Sequence, residues 1–172
     1  ATAPAGGSYS VTSTWTNSNP GTCQTFTNTA SVTDDSASAD VDVCRAADLM
    51  VTKTASGHYD TTYDWDIDKK LGDVPGVVPS GSSVDFPYTL TVTKAGQTDS
   101  GWRVTGTITV SNPNTWQPVT LTGVSDVLSV DGASCLVTGD QTASIPALGS
   151  AELTYTCTYA VRPTAYEGSN TA

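Results

Sequence analysis

The chain has 172 residues, 37% of them hydrophobic and 14% charged, with 17 acids against 7 bases and a net charge of −10. A surface of that sign repels phosphate backbones, which excludes nucleic acid as an expected partner, and no apolar run is long enough to cross a bilayer. β-branched residues abound, Met50 is the sole methionine and helix formers are scarce, so the expected class is all-β, with one sizeable domain and a smaller piece.

The first segment, residues 1–45, holds material for two or three strands, too few for an independent core. Within it Phe26-Thr27-Asn28-Thr29-Ala30 reads as the beginning of a last strand, continuing through Ser31-Val32-Thr33 into Asp34-Asp35. A boundary is expected near Arg45-Ala46-Ala47. Residues 46–172 then form one nearly complete sandwich. Tyr63, Trp65 and Ile67 alternate with Asp64, Asp66 and Asp68. Val84, Phe86, Tyr88, Leu90 and Val92 form the next apolar series, with Pro87 marking an edge or a bulge. Trp102, Val104, Ile108 and Val110 alternate with Arg103, Thr105, Thr107 and Thr109; Leu153, Tyr155, Cys157, Tyr159 and Val161 alternate with Glu152 and threonines. Each strand has one apolar and one Thr-rich face, the pattern of a sandwich with solvated outer faces, and Trp65 and Trp102 take core positions by parity. Turns fall at Val78-Pro79-Ser80-Gly81, Asn112-Pro113-Asn114, Asp131-Gly132 and Gly139-Asp140. Strands at this spacing predict an immunoglobulin-like arrangement. The chain closes on Gly168-Ser169-Asn170-Thr171-Ala172, a second N-T-A motif that stops in mid-pattern, as though one repeat ended near the start and another were left unfinished.

Four cysteines, Cys23, Cys44, Cys135 and Cys157, form no C-x-x-C pair, and His58 is the only histidine, so a zinc set is not expected. Two disulfides and an oxidising, extracellular setting fit better. Of the three pairings, Cys23–Cys44 and Cys135–Cys157 are favoured because they close local loops of similar length, each stabilising by roughly 3 kcal/mol on chain-entropy grounds.

Asp48-Leu49-Met50-Val51-Thr52-Lys53-Thr54 resembles the opening of the D-L-x-V-T-K-T repeats found in tandem on bacterial and archaeal surface proteins. Tyr63-Asp64-Trp65-Asp66-Ile67-Asp68-Lys69 and Ser100-Gly101-Trp102-Arg103-Val104-Thr105-Gly106-Thr107-Ile108-Thr109-Val110-Ser111-Asn112-Pro113 resemble related extracellular bacterial domains. The likeness covers most of 46–172 and implies an extracellular Ig-like stalk or fibre module on the cell surface, without enzymatic activity; Trp116 departs from the small or proline-rich loop expected there.

Surface-stalk domains of this general kind sometimes join a lysine to an asparagine with help from a buried carboxyl. The chemistry needs a desolvated neutral amine beside a polarised carboxamide, and burial favours the neutral forms of both amine and acid. Strand parity turns five such groups inward: Lys53 with Val51, Lys69 with Trp65 and Ile67, Asp126 with Val124 and Leu128, Asn28 with Phe26 and Ala30, and Asn170 with Tyr166 and Ala172. Asp64, Asp66 and Asp68 are weak calcium candidates, since Lys69 and Lys70 follow where an EF-hand needs glycine and a distal glutamate; Asp34, Asp35, Asp40 and Asp42 are comparable. No other cofactor is expected. Catalysis is not expected either: no G-x-S-x-G elbow occurs, and Glu152 lies on a Thr face. Trp116, in Asn114-Thr115-Trp116-Gln117-Pro118, is the candidate ligand contact.

Two functions follow. The first is a structural one, a stalk repeat or filament subunit that self-associates head to tail, with residues 24–33 donated to the open edge of the next molecule. The second is an adhesin or carbohydrate-binding module using loop aromatics such as Trp116 toward a glycan or host surface.

Overall fold

The computed structural model describes residues 7, 10–73 and 76–172, which form eleven strands and no helix. In chain order they are β1 (Thr22–Val32), β2 (Asp35–Arg45), β3 (Met50–Lys53), β4 (Ser56–Leu71), β5 (Tyr88–Ser111), β6 (Val119–Thr120), β7 (Val127–Leu128), β8 (Ala133–Thr138), β9 (Ser144–Ile145), β10 (Ser150–Tyr159) and β11 (Asn170–Thr171). The all-β class is as the sequence predicts.

The main sheet runs β3-β5-β10-β8, with β4 continuing along the edge of β5 that β3 occupies. Its inward positions are Ile108 and Val110 of β5, Leu153, Tyr155 and Cys157 of β10, and Val137 of β8, all buried. Two short antiparallel ribbons, β6 with β9 and β7 with β11, lie over that face and supply Ile145, with Leu121 beside β6 and half-buried Leu128 and Val124 packed on the cluster. Two apolar layers closing on each other are consistent with a β-sandwich. Both disulfides are local: Cys23 joins Cys44 and Cys135 joins Cys157, each pair directly opposed across its strands. They mark a non-reducing environment.

The longest strands outrun this sandwich. β10 pairs with β5 only between Arg103 and Ser111, whereas β4 pairs with β5 as far as Leu71–Tyr88. The distal half of the β4–β5 hairpin is therefore a two-stranded ribbon, and none of the described residues lies over its apolar face. This corrects the core assignment of Trp65, which is 58% exposed, together with that of Tyr63, Ile67, Leu90 and Val92. Alternation specifies which side a residue takes, not whether that side is covered. Trp102, nearer the sandwich, is half-buried as parity requires. Val84 to Pro87 precede β5 rather than joining it, and the Pro87 carbonyl accepts from Gly72 N–H at 2.8 Å.

β1 and β2 form a second ribbon, closed by a two-residue turn at Thr33-Asp34 and paired with each other rather than with the sandwich. Its root is held by the Asn-Pro-Asn segment. Asn114 accepts from Ala47 N–H at 2.9 Å through Oδ1 and donates to the Ala47 carbonyl at 3.1 Å through Nδ2. Thr115 N–H donates to the Gly21 carbonyl at 2.9 Å. Gly21 has φ +84°, and a Cβ there would meet the Pro113 carbonyl oxygen at 3.0 Å, so this close approach requires glycine. Asn112, also buried, donates to the carbonyls of Gln117, Ile145 and Pro146, which fixes the loop that fixes Asn114.

β5 thus runs from the tip of one ribbon, at Tyr88, to the root of the other, at Asn112, and the two ribbons leave the sandwich at opposite poles. Replacing Asn114 by Ala removes two bonds to the linker and strands two backbone groups. The expected loss is about 2 kcal/mol, with limited proteolysis newly cutting near Arg45, which is cleaved no faster than in the parent chain if the joint does not depend on Asn114.

Candidate isopeptide site

Three of the five inward polar residues meet at one point. Lys53 closes β3, paired with Ile108 at the centre of the core, so its side chain enters between the layers. Asp126 immediately precedes β7 and its side chain is fully buried, while that of Lys53 is 15% exposed. Asn170 opens β11 opposite Leu128, held in register by Ser129 N–H donating to the Ser169 carbonyl at 2.9 Å and Ser169 N–H to Ser129 Oγ at 2.8 Å. Lys53 Nζ contacts both Asp126 Oδ1 and Asn170 Oδ1.

Tyr155 organises the group and went unnoticed in the sequence beyond its place in the alternation. Its ring lies under Lys53 Nζ, 4.3 Å from the centroid. Its hydroxyl donates to the Thr54 carbonyl at 2.7 Å and accepts from Asn170 Nδ2 at 2.9 Å. The carboxamide is thereby oriented, its oxygen toward the lysine and its nitrogen toward the phenol. Burial, then the nearby Asp126 carboxylate, raises the Tyr155 pKa and keeps the phenol a neutral donor. The second carboxylate oxygen, Asp126 Oδ2, faces Cys157 Sγ at 3.3 Å. That sulfur is in a disulfide and has no hydrogen to give.

The pieces are an amine, a carboxamide it touches, and a carboxyl touching the amine, behind a wall of apolar side chains and a disulfide. That is what amide transfer requires. Gly106 makes the approach feasible. A Cβ there would sit inside the Thr54 carbonyl oxygen and 2.8 Å from Tyr155 Cε1, so β3 closes on β10 only across a glycine.

The other two inward candidates lie elsewhere. Lys69 is on the exposed face of the β4–β5 ribbon, 4.2 Å over the Tyr88 ring, and Asn28 is exposed on β1 opposite Ala39. Both sit on apolar faces that the described residues leave largely open. Asp64, Asp66 and Asp68 project from one face of β4 without converging, with Lys70 3.2 Å from Asp68. Among the described residues the one cluster of metal-ligating types is Asp126, Cys135 and Cys157, and its sulfurs are bonded to each other. Trp116 is half-buried. Aromatics gather instead beside Asn170, in a cleft of about 330 Å³ lined by Tyr59, Trp102, Tyr159 and Tyr166. Trp102 stacks on Tyr59 at 4.8 Å and meets Tyr166 at 5.7 Å.

No protein family, curated protein or solved structure matches the chain.

Gly106→Ala is expected to push Thr54 and Lys53 off the site. Its measure is the hydrogen-exchange protection of residues 50–54, which should fall while that of β8 persists; unchanged protection would mean that the strand accommodates the methyl.

Proposed function

We infer that this chain is an extracellular structural module, a stalk repeat or filament subunit, whose sandwich is closed by a covalent Lys53–Asn170 amide. The observation that carries the reading is the contact of Lys53 Nζ with both the fully buried Asp126 carboxylate and the Asn170 carboxamide, at the edge of the core.

The reaction is transamidation without redox change. Lys53 gives a proton to Asp126 and its Nζ attacks Asn170 Cγ, with the developing oxyanion on Oδ1. Asp126 passes the proton to Nδ2, the Cγ–Nδ2 bond breaks and ammonia leaves, and the Asp126 carboxylate then takes the second proton that Nζ sheds as it becomes an amide nitrogen. The product is one amide bond between β3 and β11, with lysine and asparagine each consumed once. Tyr155 is a positioning residue here, holding Nδ2 through its hydroxyl. Such a bond ties the first strand of the sandwich to its last, the useful place for a tether in a module pulled along its length.

Intact mass decides the matter. The expected deficit is about 17 Da from loss of one ammonia, beyond the hydrogens lost to two disulfides. Lys53→Met and Asn170→Ala should each restore the full mass, and Asp126→Ala should restore it while destabilising by about 3 kcal/mol through the stranded lysine. A parent chain at full mass rules out the amide.

The aromatic cleft favours a second reading, a glycan-binding module, since stacked Trp102 and Tyr59 offer a platform of the kind sugars pack on. On that reading, Tyr59→Ala lowers retention on a glycan array at least tenfold; an array to which the parent chain does not bind excludes it.

A further inference from the structure

Two ribbons at opposite poles each carry an apolar face that the described residues leave largely uncovered. On the distal β4–β5 ribbon the face comprises Tyr63, Trp65, Ile67 and Leu71 with Tyr88, Leu90 and Val92, each 49 to 67% exposed. On the β1–β2 ribbon it comprises Phe26, Ala30 and Val32 with Ala37, Ala39 and Val41; Val32 is 75% exposed, and Trp15 stacked on Phe26 at 5.7 Å extends the face. The chain exposes 12643 Å² in all, against about 7,900 Å² for a compact monomer of its mass. That excess is more than the roughly 1,600 Å² a stable interface buries.

We propose that the β1–β2 ribbon of one copy packs, face to face, on the distal β4–β5 ribbon of a second copy. This rests on the structural-module reading but not on the amide. The lengths agree: eleven residue pairs in β1–β2, and a span from Asp60–Ser100 to Leu71–Tyr88 in the other. The charges choose the partner. From Tyr63 to Leu71 and Tyr88 to Lys94, the β4–β5 face carries Lys69 and Lys94 and no carboxylate. Beyond its root at Arg45, the β1–β2 face carries Asp35 and no base. Self-pairing of either face sets like charges together. Pairing one with the other, tip to root, brings Asp34 and Asp35 of one copy toward Lys94 of the next. Because the two faces are different and lie at opposite poles, the contact repeats without closing and generates a linear array.

The test uses the full chain and two surface variants, Phe26→Asp/Val41→Asp and Ile67→Asp/Leu90→Asp, compared by sedimentation velocity up to about 0.1 mM. The parent chain should give an open, concentration-dependent series of oligomers. Each variant alone should sediment as a monomer or dimer fraction at least tenfold poorer in higher oligomers. An equimolar mixture of the two should recover discrete 1:1 dimers and nothing larger, since each variant retains one intact face. A parent chain that stays monomeric overturns the proposal, as does either variant keeping the open series or a mixture that fails to dimerise. Intact mass on the same samples separates the two ideas: a monomer carrying the ammonia deficit removes the docking and leaves the cross-linked module.

Discussion

The fold depends on the ion pair of Lys53 with Asp126. A fully buried carboxylate is among the costliest groups to place in a sandwich core, and a neighbouring lysine repays that cost only when geometry is good. Here the lysine arrives from β3, the aspartate from the segment before β7, and the asparagine that completes the group from β11. Those elements bring opposite layers together. Without the pair, β7 and β11, each two residues long, have little to hold them: four residues of ladder, a few backbone bonds and half-buried Leu128. An apolar trio would pack as well at lower cost. The core instead carries an amine in contact with both an acid and a carboxamide.

The same logic runs through the covalent links. Each disulfide joins residues directly opposed in an antiparallel pair, so each locks a register that hydrogen bonds alone hold less firmly. The Cys135–Cys157 bond also packs against the carboxylate of Asp126. An amide between Lys53 and Asn170 would close a loop of 117 residues, and the entropy removed from the unfolded chain by a loop that long amounts to roughly 5 kcal/mol. The eight buried apolar residues of the core among the described residues are few for so long a chain, so a tether of that size would be a large part of what resists opening.

The sequence carried the site further than it carried the surroundings. Parity on short apolar strands turned Lys53, Asp126 and Asn170 inward, and all three do face the core. The identical argument turned Asn28 and Lys69 inward, and Trp65 and Ile67 with them, onto faces left open to solvent. Alternation is a statement about backbone geometry, whereas burial depends on which strands come to lie above, a long-range matter that no local window contains. Two roles were missed for a related reason. Tyr155 was legible only as an inward aromatic, though a buried phenol must find partners and so points to a polar neighbour. Asn112 and Asn114 were legible as a turn, yet both are buried and satisfied by backbone of distant segments, which is how the joint to the first ribbon is made.

In a linear array, tension enters one sandwich through the joint at Asn114, next to β3, and leaves through the β4–β5 ribbon at the other pole. β3 and β4 lie along the same edge of β5, separated only by Thr54 and Ala55. Force along that edge loads the β3–β5 and β4–β5 ladders in shear, where many hydrogen bonds must break together, rather than peeling them singly. The weak elements, β6, β7, β9 and β11, are off this path. Lys53 sits at the kink between the two loaded strands, and a bond from it to β11 ties the unloaded layer to the loaded one. The site therefore lies where the sandwich would otherwise part into its two layers under tension.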